Sequence, residues 1–154
     1  MRCGGQRLHC RAMTPPVVPP RADRGQVLDS VGLFALFGGL LLQRLLVDGG
    51  GVWHWVGFFV LPDVALLYGM APGLVKGQLH PRAVPLYNAL HSFVGPAVLG
   101  AIAVAGGASG VLGDAGSWIA AALAWAAHIA ADRSMGYGPR TAEGFQRGRV
   151  AVSD

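Results

Sequence analysis

The 154-residue chain is 53% apolar and 13% charged, about half the charged share of ~25% in a globular domain. Its 12 basic and 8 acidic side chains give +4 and crowd the chain ends. Between Val27 and Ala131 the charges are Asp29, Arg44, Asp48, Asp63, Lys76, Arg82 and Asp114, too few to give each element of a soluble fold a polar face. No span pairs dense basic residues with stacking aromatics, which speaks against nucleic acid as a partner.

In chain order, residues 1–26 carry Arg2, Arg7, Arg11, Arg21 and Arg24 with Pro15, Pro16, Pro19 and Pro20, and the Pro-Pro steps predict a disordered basic tail. Cys3 and Cys10 lie in that tail, and His9 beside Cys10 falls short of the four ligands a zinc site needs. Four apolar stretches follow, each near the ~20 residues of a membrane-spanning helix. The first runs over 27–47 and ends at Asp48-Gly49-Gly50-Gly51; the second runs over 52–70 and ends at Ala71-Pro72-Gly73. A loop with Lys76, Gln78, His80 and Arg82 leads to the third, over 85–105. The fourth, over 116–131, is alanine-rich and stops at Asp132-Arg133, a composition suited to packing inside a bundle rather than facing lipid. Gly116, Ala120 and Ala124 have small-residue packing spacing, although nearly all their neighbours are alanine too. The prediction is an all-α, four-span bundle over 27–133 with a cytoplasmic tail over 134–154.

Loop charge orients the bundle. With the N-terminus cytoplasmic, eleven of the twelve basic residues fall inside, and only Arg44 does not, which is the positive-inside pattern. Gln43 and Arg44 then snorkel toward water at the outer end of the first span. Trp53, Trp55 and Trp118 fall at the outer interface. The lipid bilayer is the expected partner, and the expected location is the bacterial inner (plasma) membrane with both termini cytoplasmic. The eleven arginines against one lysine suit a GC-rich bacterial genome.

Ionisable groups within a span cost about 2.5–3.5 kcal/mol each. Asp63 follows Pro62, whose missing N–H frees the Phe58 carbonyl and predicts a kink. Asn88, His91, Ser92 and Gly95 recur at helical spacing and predict one shared face of the third span. His128 and Asp132 are four apart on the fourth. At 1.5 Å per residue, Asp63, His91 and His128 lie roughly 10, 9 and 7 Å from the cytoplasmic ends of their spans. Convergence of Asp63, His91, His128 and Asp132 in the cytoplasmic leaflet is therefore the central expectation.

Two histidines and two aspartates suit zinc, iron or manganese, and such a metal could activate water for hydrolysis. The same four groups could instead bond across helices as polar glue, or line an ion path. Candidate functions are thus a metal-dependent hydrolase, a transporter subunit or a scaffold within the membrane.

Three blocks in order carry a resemblance: Pro62-Asp63, Tyr87-Asn88-Ala89-Leu90-His91-Ser92-Phe93, and Ala127 through Gly138, which includes His128, Asp132, Arg133 and Tyr137. Over roughly 28–149 the chain resembles the bacterial domain-of-unknown-function family 4260, small integral membrane proteins. The resemblance implies that Asp63, Asn88, His91, His128, Asp132, Arg133 and Tyr137 are the positions to watch, and implies no activity. The chain departs from the family pattern after Pro62-Asp63, with Val64-Ala65-Leu66 in place of a serine and a Gly-Tyr pair. It departs again at Gln146-Arg147-Gly148-Arg149, which lacks the tail Asp and His. The His128–Asp132 pair at a span end is also similar to membrane-bound metal-dependent hydrolases of the prophage type.

Overall fold

The structure, a computed structural model, describes residues 24–48 and 51–146. Residues 1–23 of the basic tail, with both cysteines, lie outside them, while Arg24–Gln26, expected in the disordered tail, open the first helix. Helix α1 (Arg24–Asp48) is followed by α2 (Val52–Val60), a 3-10 turn (Leu61–Asp63) and α3 (Val64–Tyr68). After a second 3-10 turn (Pro81–Ala83) come α4 (Val84–Leu90), α5 (Val94–Ala108) and α6 (Ala115–Ser134). There is no strand among the described residues, only an isolated antiparallel bridge between Arg140 and Gln146. The architecture is all-helical.

Helix α6 is the centre, with α1, α2 and α5 all packed on it. Its alanines let backbones approach closely, and Ala120–Ala122 and Ala124–Ala130 are buried. Asp114 starts the helix, its Oδ1 accepting from Ser117 N at 3.1 Å, a side-chain N-cap. At the other end Gly136 adopts φ +79°. Its N–H donates to Arg133 O at 3.1 Å, and Tyr137 N–H donates to Asp132 O at 2.8 Å. Those two bonds form a Schellman stop, which needs a glycine in the left-handed region.

The remaining apolar chain is broken twice. Pro62 has no N–H, so α2 tightens into the 3-10 turn, with Val64 N–H closing on Leu61 O; the predicted kink takes the form of this local tightening. The second break, over His91–Phe93, is not predicted. Proline is at home in a first helical turn, so Pro96 favours a new start, and Ser92 Oγ accepts from Val94 N–H at 3.3 Å. Helices α4 and α5 meet at 40°. The carbonyls that the break strands are taken up from α6: Trp125 Nε1 donates to Leu90 O at 2.7 Å, and Arg133 Nη2 to His91 O at 3.4 Å.

The shared face expected for Asn88, His91, Ser92 and Gly95 is corrected by this break, because helical spacing does not carry through it. Asn88 turns to the loop after α6, Ser92 accepts from the first N–H of α5, and Gly95 lies against the Trp125 ring. Among the described residues, α1 alone is long and apolar enough by length and composition to cross a membrane, and the bent α4–α5 unit makes a second if taken as one span. The Val52–Tyr68 segment is apolar but shorter.

Candidate functional site

Both breaks lie against the C-terminal half of α6, and each delivers one polar side chain there. Asp63 closes the 3-10 turn after α2, and His91 caps α4. Helix α6 supplies His128 and, one turn on, Asp132. His91 Nε2 lies 3.2 Å from Asp132 Oδ2. His128 Nε2 lies 3.7 Å from both Asp132 Oδ2 and Asp63 Oδ1. Donor atoms of Asp63, His91 and His128 all fall within 4.8 Å of one another. The imidazoles are buried, with 4% and 8% of their side chains exposed, whereas Asp132 keeps 19% and Asp63 46%. The cluster therefore has an apolar floor and a mouth at Asp63.

The chemistry follows from the His91 proton. His91 Nδ1 is 2.9 Å from the carbonyl oxygen of Tyr87. A carbonyl only accepts, so Nδ1 carries the hydrogen, and Nε2 faces Asp132 either as a lone pair or as a second N–H. A lone pair against a carboxylate oxygen is repulsive unless a cation or a second proton lies between them. Consistent with that, Nε2 of His91 and Nε2 of His128 are both buried with no hydrogen-bond partner. A backbone carbonyl fixing one ring nitrogen while the other points at ligands is the usual support of a metal-bound histidine. Three of the separations, 3.2, 3.7 and 3.7 Å, lie near the about 3.4 Å between ligands ~2.0–2.2 Å from a tetrahedral metal. The Asp63, His91 and His128 donors, however, span up to 4.8 Å and would have to draw in on an ion.

The surroundings hold the rings in place. Tyr87 stacks on His91 with centroids 3.9 Å apart at 18°, Phe59 meets His128 edge-on at 5.2 Å, and the two imidazoles lie 5.6 Å apart. Over Tyr87 sits a roof made by the loop after α6. Asn88 Oδ1 accepts from Arg140 N at 2.7 Å and Asn88 Nδ2 donates to Arg140 O at 3.1 Å. The Arg140 guanidinium lies 4.8 Å above the Tyr87 ring and donates to the carbonyls of Gly77 and Gly144 at 3.0 and 2.8 Å. Gln146 Nε2 donates to Tyr87 Oη at 3.3 Å. Gly144 has φ +94°, and a Cβ there would run into the Leu79 carbonyl; Leu79 N–H donates to Gly144 O at 3.0 Å.

Of the expected site residues, Asp63, His91, His128 and Asp132 come together. Asn88 anchors the roof, Arg133 lies 4.6 Å over the Phe93 ring and holds the second break, and Tyr137 takes part in the α6 stop. Tyr87, Phe59, Arg140 and Gln146 were not anticipated. The i−4 spacing of Tyr87 from His91 could have pointed to it; nothing local marks Gln146, 59 residues from its partner.

The family model described as "Domain of unknown function (DUF4260)" matches residues 28–151. No curated protein and no solved structure matches the chain.

Proposed function

The chain belongs to the DUF4260 family, and on that footing we propose that it is a multi-pass integral membrane protein holding a divalent transition metal between Asp63, His91, His128 and Asp132. The observation that carries the metal is the buried Nε2 of His91, without a hydrogen-bond partner and 3.2 Å from the Asp132 carboxylate, on a ring whose Nδ1 is held by Tyr87 O. When bound, the metal supplies Lewis acidity and a water of lowered pKa, the chemistry of a hydrolase. This chain's own residues would set the geometry: Tyr87 O orients His91, α6 fixes His128 relative to Asp132, and Asp63 stands at the mouth where water enters.

The membrane part rests on other observations. Large apolar side chains are exposed along α1, including Leu42 and Leu46, and along α5, including Val94, Val98 and Ile102. Exposed apolar surface on that scale calls for lipid or a partner. The loop charges support four crossings with both ends in the cytoplasm, the Val52–Tyr68 segment then crossing as a bent span and α6 running shielded inside the bundle.

Metal analysis of the full chain, purified in detergent after growth with added zinc, iron and manganese, tests the metal. About one equivalent is expected in wild type and none in His91→Ala or His128→Ala. A metal-free wild type would leave a second proton between His91 and Asp132, and the cluster would be polar glue. Reporter fusions after Gly50 and Ser109 should read extracytoplasmic and one after Arg140 cytoplasmic; any reversal overturns the four-span topology.

A further inference from the structure

Helices α1 and α5 both pack on α6 but leave a groove between them, an apolar cavity of about 450 Å³. Leu33 and Phe37 form one wall, Pro96 and Gly100 the other, and Ala122 and Ala126 lie on the floor. From the α5 N-cap onward the lining runs from Phe93 to Val104, eleven residue steps or about 16 Å. Half of a ~30 Å hydrocarbon core is about 15 Å, so the groove has the depth of one leaflet.

Its ends differ. At the Phe93 end, Phe37 and Phe93 pack in ring contact, centroids 5.9 Å apart, and close the groove there. The remaining space of about 450 Å³ is too small for another helix of ~10 Å diameter and suits a single hydrocarbon chain. On α6 the floor positions Ile119, Ala122 and Ala126 continue by helical spacing to Arg133 (126 + 7). Arg133 is half-buried, its guanidinium lies on Phe93, and among the described residues no carboxylate pairs with it. A guanidinium offers a fork of N–H donors that matches a phosphate, and the one protein hydrogen bond it makes, to His91 O, leaves donors over.

We propose that this groove binds one anionic phospholipid, with an acyl chain between α1 and α5 and the headgroup phosphate on Arg133. The proposal rests on the membrane reading above and is independent of the metal. Because Arg133 also donates to the His91 carbonyl, the bound headgroup stands beside the break that carries His91, and lipid occupancy and the His/Asp cluster share one anchor.

Native mass spectrometry of the full chain, released from detergent with phosphatidylglycerol or phosphatidylcholine of identical acyl chains, tests it. Wild type should retain one phosphatidylglycerol at least tenfold more tightly than phosphatidylcholine. Gly100→Leu, which fills the groove away from the cluster, should weaken both lipids at least tenfold with metal content unchanged; Leu33→Trp on the opposite wall serves if that variant does not express. Arg133→Gln should erase the preference between headgroups, and Arg133→Lys should keep most of it. Equal retention of the two lipids by wild type, or phosphatidylglycerol binding unmoved by both groove-filling variants, overturns the proposal. So does a wild-type dimer that Gly100→Leu dissociates, which would assign the groove to a second copy. A metal-free wild type that still selects phosphatidylglycerol would sink only the metal, and recovery of the chain in the soluble fraction would sink the membrane reading.

Discussion

The two ends of α6 carry similar residue types and use them differently. At the N-terminal end, Asp114 caps the helix through Ser117 N–H, Ser117 Oγ accepts from Gly51 N at 2.9 Å, and His54 meets Trp118 edge-on at 4.9 Å. His54 Nδ1 is also buried without a hydrogen-bond partner; its one carboxylate neighbour among the described interactions is Asp114, which it influences electrostatically without an ion pair. At the C-terminal end two such nitrogens face two carboxylates delivered by three separate segments. One unpartnered nitrogen is a local imperfection of packing; several donor atoms brought to one point by unrelated parts of the chain are a site.

The largest separation of the two ends is expected in metal content. His91→Ala together with His128→Ala should take it from about one equivalent to none, whereas His54→Ala should leave it unchanged; metal lost equally in His54→Ala would break the contrast. Next comes the roof. Gly144→Ala forces a left-handed backbone and a contact with the Leu79 carbonyl, at a cost of about 1–3 kcal/mol. Thermal melting in detergent should fall, and metal affinity with it, because the roof holds Tyr87 on His91. Asn88→Ala removes two hydrogen bonds to the Arg140 backbone, each worth about 1 kcal/mol net. It should lower melting less than Gly144→Ala and leave the α6 N-terminal end untouched. Unchanged melting in both variants would mean that the roof contributes nothing.

The smallest effect is expected at Asp114. Hydrogen bonding by the Ser117 side chain and its N–H holds the Asp114 carboxyl below its usual value. A depressed carboxyl stabilises the fold above its unfolded pKa, and that stabilisation is lost as pH falls through the folded one. Asp114→Ala should therefore lower melting slightly at neutral pH and not at all in acid. An equal loss at both pH values would show that charge plays no part in the cap.

The sequence carried α1 and α6 to within three residues at each end, because long apolar stretches bounded by Gly or by Asp-Arg leave little freedom. It also carried the kink at Pro62, whose missing N–H is a local fact. The break at His91 escaped because its cause is split: Pro96 starts α5 from downstream, while Trp125 and Arg133 reach across from α6 to satisfy Leu90 and His91. Extending a helical face through that point placed Asn88 with His91, when Asn88 serves the loop instead. The convergence of Asp63, His91, His128 and Asp132 could be argued from depth alone, since depth survives a change of helix direction. The roof could not, because Asn88–Arg140 and Tyr87–Gln146 are 52 and 59 residues apart in sequence.

The position of that roof in the chain sets an order of assembly. Synthesis runs from α1 to α6, so all four side chains of the cluster have been joined to the chain by residue 132. The segment that pins Tyr87 against His91, Arg140–Gln146, emerges only afterwards. Until then His91 hangs on a helix break whose covering loop does not yet exist. A chain interrupted after α6 would hold every cluster residue with no roof over Tyr87.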